Sequence, residues 1–255
     1  MSMYLILKQY VKRMIPKKMA FNNEELFRSM LFWFYKGKKY ECTICNRKLR
    51  RFILLDNDEK LCPYCGSLPR NRRLCLLLKS EFLREHLHVL HFSPSKSLFR
   101  LLSSYPGIIY DSTDISGNFM AHEHLDITRI DKPDSNYDLI ICYHILEHVE
   151  KDKEAMSELY RILKPRGICM IQTPFKKGSV YENSAIKNPN DRKIHFGQED
   201  HVRIYSVNGL KYRLEQIGFV VKVTHFSEDE HNYHGLKSEE YVIIASRKRD
   251  LAKTE

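Results

Sequence analysis

Four of the seven cysteines in this 255-residue chain form two matched pairs, and their spacing constrains the fold more than any other feature. The pairs are Cys42-Thr-Ile-Cys45 and Cys62-Pro-Tyr-Cys65, which together make a C-x2-C-x16-C-x2-C pattern. Each C-x2-C turn presents two thiolates to one ion, and four thiolates in a tetrahedron are a ligand set of structural zinc. Gly66 permits the tight turn that follows the second pair. The pattern predicts a closed zinc ribbon, in which the metal stabilises a segment too small to form its own core.

The charge of the chain is distributed unevenly. Residues 1–73 carry 17 Lys and Arg against 6 Asp and Glu, a net charge of +11, whereas residues 74–255 carry 25 against 26, a net charge of −1. The basic excess therefore belongs to a leading part of the chain. We divide the sequence into a basic amphipathic helical segment (1–39), the four-cysteine ribbon (40–73) and a third domain (74–255).

The basic segment contains apolar residues at helical spacing, with Lys and Arg between them. These residues are Tyr4, Leu7, Val11 and Met14. The stripe is expected to pack on the main domain. The alternatives that the sequence leaves open are docking on an anionic membrane surface or an acidic partner, and contact with nucleic acid. The longest apolar run has six residues, against the roughly 20 of a membrane-spanning helix. Because we find no export signal, we expect a cytoplasmic protein. Any contact with a membrane is expected to be peripheral.

From residue 86 onward, short apolar segments alternate with helical patterns. We predict strands over 88–92, 108–110, 137–143, 168–173, 219–223 and 241–246, with helices over 151–163 and 206–217. The continuous apolar run over 137–143 is typical of a strand buried in a parallel sheet. Residues 175–205 are polar and are expected to be irregular. The alternation predicts an α/β fold, with a Rossmann-like, doubly wound, mostly parallel sheet and an antiparallel end strand.

Two ordered blocks in this region resemble a known enzyme family. They are Tyr137-Asp-Leu-Ile-Ile-Cys-Tyr-His-Ile-Leu-Glu-His-Val149 and Leu159-Tyr-Arg-Ile-Leu-Lys-Pro-Arg-Gly167. Both are similar to the class I S-adenosylmethionine-dependent methyltransferases, most closely the type 11 branch. Residues 62–73, which begin Cys-Pro-Tyr-Cys-Gly-Ser, resemble a subset that carries a zinc ribbon in front of the methyltransferase domain. The resemblance implies S-adenosyl-L-methionine as the cofactor of residues 74–255.

The chain departs from that family after the first strand. Family members have a G-x-G-x-G loop there, which lets the backbone approach the cofactor, but no G-x-G occurs in this sequence. The equivalent place reads Val-Leu-His-Phe-Ser-Pro-Ser. Either this turn cradles the cofactor through His91, Ser93, Pro94 and Ser95, or the fold has lost its cofactor and become a scaffold. We favour retention because the other cofactor positions are chemically intact.

Those positions follow from the rule that open α/β sheets bind ligands beyond the carboxyl ends of their strands. Asp114 is predicted to accept the ribose hydroxyls, with Asp111 as the competing residue. The resemblance implies that Asp126 and Ile127 contact the adenine. It also places Tyr143, with the histidine that follows it, toward the transferred methyl group.

Methyl transfer depends chiefly on positioning the nucleophile, and a hydroxyl acceptor is helped by a base of near-neutral pKa. Histidine is the usual candidate. His144 is our first choice by location, and His201, in a segment expected to act as a substrate lid, is the second. Arg203 is expected to bind an anionic acceptor. Glu147 and His148 are expected to open a helix, with His148 as a packed structural residue.

Three functions fit these observations. The first is O-methylation of a small-molecule or glycan-type acceptor, the glycan part by analogy alone. The second is a zinc-ribbon RNA methyltransferase whose basic front binds phosphates. The third is a non-catalytic scaffold. The fifth strand ends in Gln172-Thr-Pro-Phe175 rather than an Asn-Pro-Pro-Tyr type of motif, which disfavours methylation of base amino groups. The sequence favours the first function and predicts no oligomeric state.

Overall fold

The structure is a computed structural model that describes residues 24–227 and 230–248. The predicted amphipathic stripe over residues 4–14 lies outside the described residues. Backbone contacts divide the chain into two units. The cysteine unit comprises the described residues up to Leu83, together with Ser95–Ser104 and Ser227–Glu239. The sheet unit comprises Arg84–Pro94, Tyr105–Phe226 and the described residues from Glu240 onward.

The elements alternate along the chain much as their apolar patterns indicate. The helices are α1 (Glu24–Phe32), α2 (Pro69–Leu77), α3 (Lys96–Ser103), α4 (Asp152–Ile162), α5 (Pro189–Phe196) and α6 (Val207–Ile217). The strands are β1 (Lys36–Glu41), β2 (Lys48–Leu49), β3 (Ile53–Leu54), β4 (Lys60–Leu61), β5 (Leu87–Phe92), β6 (Ile108–Thr113), β7 (Tyr137–Tyr143), β8 (Leu163–Gln172), β9 (Tyr181–Glu182), β10 (Arg203–Ile204), β11 (Val220–Ser227) and β12 (Glu239–Ser246).

Six strands form the central sheet in the order β11-β12-β8-β7-β5-β6. The pairs β5–β6, β5–β7 and β7–β8 are parallel, whereas β12 runs antiparallel to β8. This arrangement confirms the predicted Rossmann-like sheet with an antiparallel strand toward one end. Because β5, β6 and β7 run parallel side by side, the residues that follow them meet at one edge of the sheet.

The main core lies in the sheet unit, where helices cover the buried strands. Helix α4 buries Ala155, Met156, Leu159 and Ile162, which share one face at helical spacing. All seven residues of β7 except Asp138 are buried, as expected for a strand covered on both faces. Burial of this apolar surface is the main driving force that holds the strand ends in place.

The described part of the cysteine unit contains the short strands β1 to β4 and the helices α1, α2 and α3. β1 pairs with β2, and β3 pairs with β4 around a turn at residues 55–59. Among the described residues, Tyr35, Ile53 and Leu61 form one small buried cluster of this unit. A cluster of this size adds only modest stability to the unit.

The segment 175–205 is more regular than the sequence prediction allowed. It contains α5 as well as the short antiparallel pair β9–β10. Asn188 caps α5 by accepting a hydrogen bond from the Asn190 amide, and Pro189 occupies its first turn. Gly197, with φ of 91°, ends the helix in the left-handed region that glycine favours. None of the described helices has the length and hydropathy of a membrane-spanning segment.

Candidate functional site

Polar residues from the loops after β5 and β6 meet at the carboxyl edge of the sheet. The register pairs Phe92 with Thr113, so Ser93 and Asp114 both follow directly from paired positions. Ser93 Oγ donates a 2.7 Å hydrogen bond to Asp114 Oδ1, and the Ser93 amide donates to the Thr113 carbonyl at 2.7 Å. This edge is the usual ligand site of an open α/β sheet.

The backbone at Ser93 takes the conformation that a glycine would favour. Its φ is 44°, in the left-handed region, where a residue with a Cβ is strained by roughly 1–2 kcal/mol. The turn after β5 therefore forms without the G-x-G sequence. Pro94 is buried next to it, and Ser95 belongs to the cysteine unit, where its Oγ caps α3 by accepting from the Leu98 amide.

Asp114 and Asp111, the two competing carboxylates, have different surroundings. Asp111 lies within β6 and accepts hydrogen bonds from His88 Nε2 at 2.8 Å and the Tyr137 hydroxyl at 2.9 Å. Asp114 follows the strand and accepts from the hydroxyls of Ser93 and Ser116. The structure therefore assigns Asp111 to the interior of the strand and places Asp114 at the sheet edge.

Asp114 is also hydrogen-bonded by the backbone of the exposed loop that follows it. The Asn118 and Phe119 amides donate to Oδ2 at 3.0 and 3.2 Å. Burial raises the pKa of Asp114, but the hydrogen bonds from Ser93, Ser116 and these amides outweigh it and hold the pKa below its usual value. Asp114 is therefore an ionised acceptor at neutral pH.

His91 is buried within β5 and faces the neighbouring strand. Its Nδ1 lies 3.1 Å from the Tyr110 hydroxyl. Burial lowers the pKa of His91 to about 3, so its imidazole is neutral at physiological pH. The predicted contact between His91 and the cofactor stays a prediction.

Asp126 and Ile127, the residues predicted to contact the adenine, and Tyr143 occupy separate positions in the sheet unit. Asp126 is exposed and its Oδ1 accepts hydrogen bonds from Thr128, which lower its pKa. Ile127 is buried in the main core. Tyr143 is buried at the end of β7, paired with Gln172 of β8. Their predicted roles toward the cofactor remain predictions.

His144 follows β7 and faces a buried carboxylate. Its φ is 56°, and its amide donates to the Gln172 carbonyl at 2.8 Å. His144 Nδ1 lies 3.3 Å from Oε1 of Glu147, whose side chain is 1% exposed. Burial raises the pKa of Glu147, but contact with His144 and the other local interactions lower it overall. Among the described residues, His144 Nε2 has no hydrogen-bond partner.

His201 lies close to the same carboxylate although it is 54 residues further along the chain. One ligand atom from each of Glu147, His148 and His201 lies within 4.8 Å of the others. The rings of His148 and His201 meet edge to face, with centroids 4.6 Å apart. The two predicted histidine bases therefore converge on Glu147, which the sequence reading treated only as a helix-opening residue.

Arg203 holds this arrangement together. Its guanidinium donates to the carbonyls of Leu146, Val149 and Glu150 and to the Glu182 carboxylate. The side chain is buried, and these contacts engage all three of its nitrogens. The expectation that Arg203 binds an anionic acceptor is not supported, because its guanidinium joins β10 to the turn after β7.

The four paired cysteines form a second candidate site, in the cysteine unit. Their sulfurs all lie within 4.8 Å of one another, with Sγ–Sγ distances of 3.6 Å for Cys42–Cys65 and 3.8 Å for Cys45–Cys62. A zinc tetrahedron with bonds of about 2.3 Å has edges of about 3.8 Å, so the donor set fits zinc. The turns are equivalent, because the residues after them, Asn46 and Gly66, both have positive φ and donate to the carbonyl of the first cysteine.

A fully buried arginine supports the cysteine cluster. Arg72 stacks on the Phe52 ring, 4.2 Å from its centroid. Its guanidinium donates to four carbonyl oxygens, those of Lys60, Ser67, His234 and Gly235. Burial lowers the pKa of Arg72, whereas the nearby thiolates raise it. The sequence reading missed this residue because its partners lie as far as 163 positions away.

Comparison with known proteins identifies the family to which the chain belongs. Residues 62–223 match the model of a family described as "Methyltransferase domain". The chain belongs to this methyltransferase family. The match covers more than half of the sequence and confirms the resemblance at the level of a methyltransferase enzyme.

Individual relatives of the methyltransferase match over shorter stretches. It is 45% identical over 48 residues to a ubiquinone biosynthesis O-methyltransferase of Rickettsia bellii. This alignment covers 19% of this chain and 20% of that protein. It is 25% identical over 73 residues to a probable S-adenosylmethionine-dependent methyltransferase of Mycolicibacterium smegmatis, 27% and 28% of the two chains. The methyltransferase thus aligns with only about a fifth to a quarter of these curated relatives.

A solved structure shows the same fold. Phosphoethanolamine N-methyltransferase 2 of Haemonchus contortus, in complex with S-adenosyl-L-methionine, superposes with a TM-score of 0.50 at 14% identity. The superposition covers 70% of the methyltransferase and 52% of the other chain. At this sequence identity, the similarity shows that the two proteins share a fold and nothing further.

Proposed function

We propose that this enzyme transfers a methyl group from S-adenosyl-L-methionine to a hydroxyl oxygen of a small-molecule or glycan-type acceptor. The observation that carries the proposal is the His144–Glu147 pair at the end of β7. A carboxylate facing Nδ1 keeps the proton on that nitrogen, which leaves Nε2 to accept a proton from a hydroxyl. Nitrogen acceptors that are already nucleophilic have less need of such a base.

Residues of the sheet unit suit the bound cofactor. S-Adenosyl-L-methionine, when bound, supplies a methyl group on a positively charged sulfur. The ionised Asp114 would accept the ribose hydroxyls, which would replace the hydroxyl of Ser116 on the exposed loop. The left-handed turn at Ser93 supports retention of the cofactor, since it reproduces a glycine conformation without glycine.

The proposal is tested by cofactor binding and by turnover. Calorimetric titration with S-adenosylhomocysteine is expected to show one site, weakened at least tenfold in Asp114→Asn. Turnover, measured as S-adenosylhomocysteine release with hydroxylated acceptors, is expected to fall in His144→Gln while cofactor binding stays unchanged. Lack of binding by the wild-type protein would favour the scaffold, and methylation of RNA with a steep salt dependence would favour the RNA enzyme.

We also propose that Cys42, Cys45, Cys62 and Cys65 hold one structural zinc ion. All four positions are protein ligands, so the ion would stabilise the cysteine unit and leave no open coordination position for catalysis. The ion would add to the stability that the small cluster of Tyr35, Ile53 and Leu61 gives this unit.

A peripheral membrane contact is proposed through α1 and the start of β1. Met30, Trp33 and Phe34 are exposed, Trp33 by 71%, and Lys36 Nζ lies 5.1 Å from the centroid of the Trp33 ring. Apolar side chains beside basic ones suit an anionic bilayer surface. We expect the protein to sediment with phosphatidylglycerol vesicles. The double substitution Trp33→Ser and Phe34→Ser should abolish this, whereas Leu54→Ser, at the exposed position of β3, should leave it unchanged. Sedimentation that the double variant retains would contradict the proposal.

A further inference from the structure

We propose that Glu147, His148 and His201 bind a divalent transition-metal ion within the sheet unit. One ligand atom from each lies within 4.8 Å of the other two, a spacing that one ion can bridge. The three residues come from the turn after β7 and from the segment before β10, which are joined by the hydrogen bond from the Val202 amide to the Glu147 carbonyl at 2.9 Å. This set is distinct from the four cysteines of the other unit.

The burial of Glu147 is difficult to explain without a ligand. Within the described part of the chain, His144 Nδ1 pairs with Oε1 at 3.3 Å, whereas Oε2 has no hydrogen-bond partner. Leaving a buried polar group unsatisfied costs about 1–3 kcal/mol, and more for a charge. Buried carboxylates in native structures are paired or bind metals. The unsatisfied Oε2 therefore points to a cation that completes the site.

The histidine tautomers fit the same conclusion. His201 is 4% exposed, and its Nδ1 lies 3.2 Å from the Phe196 carbonyl oxygen. A carbonyl only accepts, so the proton is on Nδ1 and Nε2 carries a lone pair. That Nε2 is buried and has no partner among the described residues. His148 Nδ1 lies 3.2 Å from Asp200 Oδ2, which likewise leaves its Nε2 to a metal. Metal-binding histidines characteristically donate their other N–H in this way.

The donor set indicates which ions fit. Two imidazoles and one carboxylate suit Zn²⁺, Mn²⁺, Fe²⁺ or Co²⁺, whereas Mg²⁺ and Ca²⁺ prefer oxygen ligands throughout. Three protein ligands leave at least one coordination position open, as in catalytic metal sites. The cysteine cluster, with four thiolates, is closed by comparison.

An open position would receive the acceptor, a step that rests on the proposed function. A hydroxyl bound to the ion loses its proton more readily, because the positive charge stabilises the alkoxide. The proton would pass to His144 Nε2. Transfer would then form the O–CH₃ bond of the acceptor and break the S–CH₃ bond of the cofactor, whose sulfur would keep the electron pair in S-adenosylhomocysteine.

Metal binding is tested on the full chain, first loaded with one equivalent of zinc, which the four thiolates bind in preference to the His and Glu ligands. Titration with Mn²⁺, followed by electron paramagnetic resonance, is expected to show one further ion per chain. Glu147→Gln and His201→Gln are each expected to weaken Mn²⁺ at least tenfold. The matched control is His86→Gln, because His86 lies in the same unit, is 92% exposed and precedes β5 at the opposite end of that strand. It is expected to leave the affinity unchanged.

The outcomes separate this proposal from the proposed function. Absence of a second ion, or Mn²⁺ binding that both variants leave intact, would overturn the metal site and show that water satisfies Glu147. Cofactor binding measured on the same samples reports on the methyltransferase function alone. Circular dichroism verifies the fold of each variant, and His148→Gln replaces any variant that does not fold.

Discussion

The Ser93 hydroxyl donates a 2.7 Å hydrogen bond to the Asp114 carboxylate, joining the ends of two neighbouring parallel strands. Ser93 holds φ at 44° to make this contact, and its amide donates to the Thr113 carbonyl. The strained turn and the carboxylate are therefore one structural element. It occupies the place where related enzymes have a glycine loop.

Substitutions at Ser93 are expected to separate backbone strain from hydrogen bonding. Ser93→Gly relieves the left-handed strain but loses the hydroxyl that donates to Asp114. Each effect changes the free energy of unfolding by about 1 kcal/mol in opposite directions, so the stability should stay nearly unchanged. Ser93→Val loses the hydrogen bond and adds a β-branched side chain at positive φ, for a loss of about 2–4 kcal/mol. Urea unfolding of both variants measures the difference. Equal stability of the two would contradict the conformational explanation.

The cysteine cluster predicts selective loss of zinc. Cys62→Ser is expected to lower the zinc content from one ion per chain to well below half, since an alcohol is a much poorer zinc ligand than a thiolate. Cys75→Ser is the control, because Cys75 is a buried cysteine of the same unit whose Sγ contacts the Thr43 carbonyl. Elemental analysis after dialysis measures both. Full zinc retention in Cys62→Ser would refute the ligand assignment.

Arg72 is expected to be far more sensitive than its helical neighbour Arg70. Lysine cannot reproduce the donation of Arg72 to four carbonyls, so Arg72→Lys should cost about 3 kcal/mol and weaken zinc retention. Arg70 is partly exposed and pairs with Glu59, so Arg70→Lys should cost less than about 1 kcal/mol. Chemical denaturation measures both values. Similar losses in the two variants would show that the buried hydrogen bonds contribute little.

His91 is expected to make the fold sensitive to mild acid. Its folded pKa of about 3 lies below the ordinary value of 6.5, so between these values the unfolded chain binds a proton that the folded chain does not. The stabilisation is complete above pH 6.5 and is lost as the pH falls. From pH 7.5 to 5.5 this group should account for about 1.4 kcal/mol of lost stability.

His91→Gln is expected to remove that part of the pH dependence, whereas His86→Gln on the exposed turn should retain it. Urea denaturation at both pH values gives the comparison. An unchanged pH slope in His91→Gln would show that the histidine titrates normally in the folded protein.

Much of the scaffold was predictable from local patterns. The apolar run over 137–143 corresponds residue for residue to β7, and the alternation of elements predicted the parallel sheet. The segment 175–205 was predicted as irregular because its polar composition hides α5, whose cap and proline are local signals that could have revealed it. The sequence could not distinguish the roles of Asp111 and Asp114, which are only three residues apart. Their roles depend on where β6 ends: Asp111 lies within the strand and pairs inside the sheet, whereas Asp114 follows the strand and lies at the sheet edge.

By itself, the sequence determined the paired cysteine turns, the buried strands and the position of His144 after β7, because each depends on spacing within a few residues. Tertiary structure alone decided which polar groups share a site. Glu147 and His201 meet because Arg203 and the Val202 amide join distant segments, and Arg72 is buried among carbonyls contributed by residues up to 163 positions away. Such contacts join residues that are far apart in the sequence, so a pattern within a few residues cannot predict them.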